Sequence, residues 1–218
     1  EKGNRLGGTV IRFSPELKTK GQISEEIGRV MAKVGRYCAE RKKPLIMEDL
    51  DTTLAKHGMK YGCKKKNRHA SLFAYRKMTS CLENQAYKQS FGIYKMNPAY
   101  TSQMGKFLYL RPFGLSIHEA ASYTIGLKGM EIREKLLPDE RLLMLLPEKA
   151  KEKLKNGTDI VSIIPAWKHL TKAFRGVSPH SFYRELPYEV LEERKKGTLK
   201  SIASEMKKWT QNNRYEYV

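Results

Sequence analysis

Cysteine is scarce in this chain: three in 218 residues, at positions 38, 63 and 81. A small, odd and widely spaced set excludes a disulfide framework and a CxxC zinc ribbon, and it fits a reducing compartment. Long apolar runs are missing too. None approaches the roughly 18 residues that a membrane-spanning helix needs, so no membrane partner is expected. The opening "EKGNRLGG" lacks the apolar stretch of a signal peptide, does not start with Met, and leads with a turn dipeptide, Gly3-Asn4. The chain therefore reads as the remainder of something longer. Acids are the third shortage. Twenty-three Asp and Glu face 42 Lys and Arg, for a formal charge of +19 and a pI near 9.8. A soluble chain this basic usually meets a polyanion, because phosphate contacts release counterions. That identifies a class of partner and no chemistry.

The length suits one domain with an appendage. "RLGGTVIRF" (5–13) predicts a strand behind a tight turn. Residues 21–43 carry Ile23, Ile27, Val30, Met31, Val34 and Cys38 at helical spacing, predicting an amphipathic helix. Pro44 ends it, and "LIM" (45–47) predicts a short buried strand. A basic loop (56–69) precedes a second helix, roughly 70–89, with Leu72, Tyr75, Met78, Leu82 and Ala86 as its apolar stripe. "FGIYKMN" (91–97) predicts another strand, closed by Pro98. A third helix begins near Ser116 and runs through Leu137. This alternation implies parallel strand pairing, with site residues at the carboxyl ends of strands, where Glu48 and Asn97 lie. After residue 135 the texture turns to charged helical segments, predicting a helical extension over 136–218.

Several residues allow a functional and a plain reading. The acids of "LIMEDLD" either cap the helix or loop after the strand, or Glu48 holds a metal there while Asp51 caps. Thr101, Ser102 and Gln103, read as a loop, either hold backbone phosphates or stabilise their own turn. Lys64, Lys65, Lys66 and Arg68 form a solvated loop or a phosphate contact. His118 is a metal ligand, a general base or a packed helix residue, and Glu119 can supply an oxygen ligand instead.

"GNR", "PLIMEDL", "NPAYTSQMG" and "GLSIHEAASYTIGLKGM", in this order over about residues 1–135, resemble the RuvC-like nuclease domain of TnpB (OrfB) proteins. These are transposon-encoded, RNA-guided DNA endonucleases, and the subgroup of TnpB-related accessory proteins is most similar. The resemblance implies an α/β, RNase H-like (RuvC-like) mixed sheet, here lacking its first strands, with a nuclease domain over 1–135 and the helical extension behind it. It implies DNA and guide RNA as partners, Mg²⁺ or Mn²⁺ as cofactor, and a cytoplasmic, nucleoid-associated place in a bacterial or archaeal cell. Of the family's three metal carboxylates, the second carries over to Glu48. The third motif, laid on "HEAASYTI", puts its Asp on His118. The first falls ahead of Gly3, so this chain alone is expected to be inactive. The family's paired CxxC knuckle is replaced by the Cys-free "MGKFLYLRPFGL", and no zinc is expected. A nuclease-dead, nucleic-acid-binding relative is the alternative.

Overall fold

The computed structural model describes residues 3–11, 18–49 and 75–174. The basic run Lys64–Arg68, Cys63, the start of the second predicted helix and the extension beyond residue 174 lie outside the described residues. The protein is mixed α/β and mostly helical, and it divides into two compact units. One comprises residues 6–98, the other residues 1–5 with 99–218. Among the described residues, no helix is long and apolar enough to cross a membrane.

In the first unit, α1 (Lys20–Glu40) opens on a reciprocal cap. Thr19 accepts from the Gln22 N–H and the Gln22 side chain accepts from the Thr19 N–H, which satisfies two donors that a helix start leaves over. Ile23, Ile27, Gly35 and Cys38 are its buried residues. They follow the predicted stripe and face α2 (Tyr75–Gln89), whose buried residue is Leu82. At Gly35 a Cβ would stand 2.9 Å from the Gln85 Cβ, so the missing side chain sets how closely the helices cross. Burial also pushes the Cys38 thiol pKa up. β1 (Leu45–Glu48) and β2 (Ile93–Met96) pair in parallel, with Leu45 opposite Ile93 and Glu48 opposite Met96. The ladder runs past both ends: Leu45 N–H donates to Gly92 and Asp49 N–H to Met96, each at 2.8 Å. The parallel pair expected from the alternation is present.

The strand expected over 5–13 is not present among its described residues, 5–11. Residues 5–11 carry no regular structure, and Leu6, Val10 and Ile11 are exposed. Gly7 and Gly8 weaken any strand there, and apolar residues without a neighbouring edge leave the backbone groups unpaired.

The second unit contains α3 (Thr101–Leu108), α4 (Ile117–Gly129), α5 (Glu140–Met144), α6 (Glu148–Asn156) and α7 (Ile164–Ala173), with short 3₁₀ turns at Glu134–Leu136 and Val161–Ile163. Its core joins Met104 and Phe107 of α3, Leu127 of α4, Leu136, Leu142 of α5, and Trp167 and Leu170 of α7. The expected boundary at 135/136 falls inside this core. The helical segment through Phe174 therefore packs with the residues before it.

α3 and α4 meet backbone to backbone. A Cβ on Gly105 would stand 2.6 Å from the Ala120 carbonyl carbon and 2.8 Å from the Ala121 nitrogen. Backbone atoms cannot swing aside as a flexible side chain does. Gly105→Ala should therefore push the two helices apart and cost about 1–3 kcal/mol, as overpacked cores do. Urea denaturation followed by circular dichroism checks this, and an unshifted midpoint would show that the helices have room. α4 is also shorter than predicted. It stops at Gly129, and Glu131 adopts a left-handed φ of 56° that no continuing helix permits.

Candidate functional site

Glu48 is the last residue of β1 and is partly buried. Its partner Met96 ends β2, so Asn97 comes next at the same carboxyl end of the strand pair. Side chains alternate across a strand, which turns Asp49 to the opposite face from Glu48. That face carries Lys95, whose ammonium donates to Glu83 at 2.8 Å. The hydrogen bond to Glu83 raises the Lys95 pKa, with a smaller contribution from Asp49. The acids of "LIMEDLD" thus divide by face: Asp49 lies on the Lys95 side of the strand pair and Glu48 on the other.

Thr101, Ser102, Gln103, His118 and Glu119 belong to the helical unit. Thr101, Ser102 and Gln103 are the first turn of α3 and not a loop, and Thr101 is buried at 1% exposure. Ser102 is exposed and Gln103 partly so. Before them, Tyr100 holds a left-handed φ of 63° and its carbonyl accepts from the Met104 N–H at 2.9 Å. A non-glycine residue in that region is strained and persists only where its surroundings fix it. One such fixture is Lys128, buried in the last turn of α4, whose ammonium donates to the Ala99 carbonyl at 2.7 Å. The "NPAYTSQ" bend is therefore tied to both ends of α4, by Lys128 at one and by the Gly105–Ala120 approach at the other.

α4 begins with a capping box. Ser116 Oγ accepts from the Glu119 N–H, and the Glu119 carboxylate accepts from the Ser116 N–H at 3.0 Å and its hydroxyl at 2.8 Å. These two bonds hold the Glu119 carboxyl below its ordinary pKa, and Arg5 adds to the effect. His118, one residue earlier, is exposed. Ala120 and Ile125, the positions that carry the rest of the third motif, are buried. The Gly3-Asn4 segment packs on the same helix. Gly3 has φ +56° and lies against Leu127 and Ile132, its carbonyl accepts from Tyr123 at 2.7 Å, and Lys135 binds Asn4 Oδ1 at 2.7 Å.

The donor chemistry can be tested against Mg²⁺, which takes hard oxygen ligands and few nitrogens. Glu48 fits. Glu119 has one oxygen, Oε2, engaged twice by Ser116, and His118 offers a nitrogen. Among the described residues, no group of three or more His, Cys, Asp or Glu side chains is spaced to hold a metal ion.

The capping box separates two roles for Glu119. Glutamine at this position also closes a capping box, so Glu119→Gln should fold normally at neutral pH and keep whatever cleavage the protein has. A carboxyl with a lowered folded-state pKa stabilises above its ordinary value of 4.5, and that stability is lost as pH falls through the folded value. The unmutated protein should therefore lose stability relative to Glu119→Gln in that acid window. Loss of cleavage in a folded Glu119→Gln protein would instead make Glu119 a ligand.

Sequence reasoning missed a cleft of about 590 Å³ between α5, α6 and α7, with Leu145, Leu146 and Pro147 on its apolar side and Lys151, His169 and Lys172 on its basic side. Its acid, Glu148, pairs with Lys151 at 2.7 Å. The signal available was His169 and Lys172, three residues apart on α7 beside the buried Trp167 and Leu170. Comparison with family models, curated proteins and solved structures finds no match to this chain.

Proposed function

We propose that the chain is the RuvC-like portion of a transposon-associated, TnpB-like, RNA-guided, metal-dependent DNA endonuclease with an RNase H-like fold. The observation that carries this reading is Glu48 at the carboxyl end of a parallel strand pair, with Asn97 one residue past the partner strand. Open α/β sheets present their site residues at that end. Further support comes from the packing of two segments that carry the resemblance: "NPAYTSQMG" and "HEAAS" form one helix pair in backbone contact at Gly105. In this reading Glu48 holds Mg²⁺ or Mn²⁺, and a bound divalent ion supplies Lewis-acid stabilisation and an activated water. Exposed His118 stands as ligand or general base. Lys64, Lys65, Lys66 and Arg68 meet phosphates of DNA or guide RNA. Cleavage in the presence of Mg²⁺ and guide RNA tests the proposal, on this chain and on an N-terminally extended form that supplies the first Asp. The form that carries this Asp should cut. An extended form that binds but never cuts would remove the nuclease reading.

A second reading, a nuclease-dead relative that binds nucleic acid as an accessory or regulatory factor, is favoured by the engagement of Glu119 in the capping box. It predicts binding without cleavage in both forms.

A further inference from the structure

The turn between α3 and α4 presents an aromatic ring to solvent. Phe113 is 48% exposed. Single exposed apolar residues are ordinary, but this one is braced. Its ring lies nearly parallel to Tyr109, with centroids 5.9 Å apart at 11°, and meets Tyr123 edge-on at 5.9 Å and 80°. Tyr109 and Tyr123 in turn meet edge-on at 4.7 Å and 72°. Both supporting rings are anchored through their hydroxyls. Tyr109 donates to the Lys135 carbonyl, and Tyr123 to the Gly3 carbonyl at 2.7 Å. The backbone beneath is closed by Gly114 N–H to Arg111 at 3.2 Å and Leu115 N–H to Leu110 at 2.9 Å, with Gly114 at φ +59°. The open part of Phe113 is therefore held in a fixed orientation.

Its surroundings carry positive charge. Arg111 is exposed in the same turn. Arg5 lies near enough to Tyr123 and Glu119 to act electrostatically on both. Glu119 itself is engaged by Ser116. An oriented ring with an exposed arginine in its own turn, on a chain of charge +19, suits a ligand that alternates flat π-faces with phosphates. We propose that Phe113, braced by Tyr109 and Tyr123, is a stacking platform for an unpaired base of a single-stranded nucleic acid, with Arg5 and Arg111 flanking the phosphates. Every base has a π-face, so the platform takes bases without reading sequence. The proposal requires no metal and does not depend on the nuclease reading.

Stacking and phosphate contact leave different signatures. Removing a phosphate contact lowers the salt dependence of binding, whereas removing a stack lowers affinity equally at every salt concentration. The test is fluorescence anisotropy of the full 218-residue chain with labelled single-stranded oligothymidylate and with an abasic strand of equal length. Phe113→Ala should weaken oligothymidylate binding about tenfold at all salt concentrations, leave the salt slope unchanged, and leave abasic binding unchanged. Phe113→Leu keeps an apolar side chain on the tyrosines but has no ring, and it should lose as much as Ala. Phe113→Trp should restore binding. Unmutated affinity in Phe113→Leu, or equal losses on natural and abasic strands, would overturn the proposal and return the ring to a packing role or a protein partner.

Discussion

Trp167→Ala should destabilise the helical unit by about 3–5 kcal/mol, the range for deleting a large aromatic from a packed core. Trp167 is fully buried. It stacks at 6.4 Å and 20° on Phe107 of α3, which in turn packs at 4.8 Å on Phe174. Its Nε1 donates to the Leu136 carbonyl at 2.9 Å. One side chain thus joins α7 to α3 and to the turn after α4. Domains are stable by only about 5–15 kcal/mol in total, so this change removes a large share. Trp167→Phe tests the polar part separately. It keeps a ring but leaves a buried carbonyl without its donor, a loss of about 1–3 kcal/mol. Urea denaturation followed by far-ultraviolet circular dichroism reads both. A Trp167→Ala loss below about 1 kcal/mol would mean that the core tolerates the cavity by collapsing into it.

Much of the strand-bearing unit is legible in the sequence because its signals are local. The α1 stripe of Ile23, Ile27 and Cys38 recurs at helical spacing and is buried as expected. Pro44 and Pro98 bracket the region of the two short strands, and the helix between them implies their parallel pairing. In the helical unit, Gly3 takes the left-handed conformation that glycine permits. The features that spacing does not disclose depend on distant partners. Val10 and Ile11 are β-branched residues of the kind strands favour, but composition alone does not supply a neighbouring edge. α3 reads as a loop because it is short and has Gly105 within it, a poor helix former. Its helical turns rest on packing against Ala120 and Ala121, which sequence spacing does not reveal.

Charge hides the reach of the helical unit past residue 135. α6 reads as a run of Lys and Glu, and its buried contribution is only Ala150 and Leu154. At the candidate site, the position of Glu48 at a strand end is readable from the apolar run before it. The capping box that engages Glu119 is also written in the sequence, as Ser116 with Glu119 three residues on. It bears on function because a carboxylate closing a helix has fewer lone pairs left for a metal.

Glu48 bears the largest functional prediction. Glutamine keeps its size and its capacity to hydrogen bond but removes the charge that binds a divalent cation in the proposed reading. In the same reading, nucleic acid is held by lysines and arginines elsewhere, so its binding should persist. The deciding measurement is the single-turnover cleavage rate of the N-terminally extended protein, with guide RNA and Mg²⁺, for the unmutated sequence and for Glu48→Gln at matched nucleic-acid occupancy. The predicted result is a fall of roughly a hundredfold or more, the scale seen when a group stabilising transition-state charge is removed. Cleavage by Glu48→Gln at the unmutated rate would contradict the account.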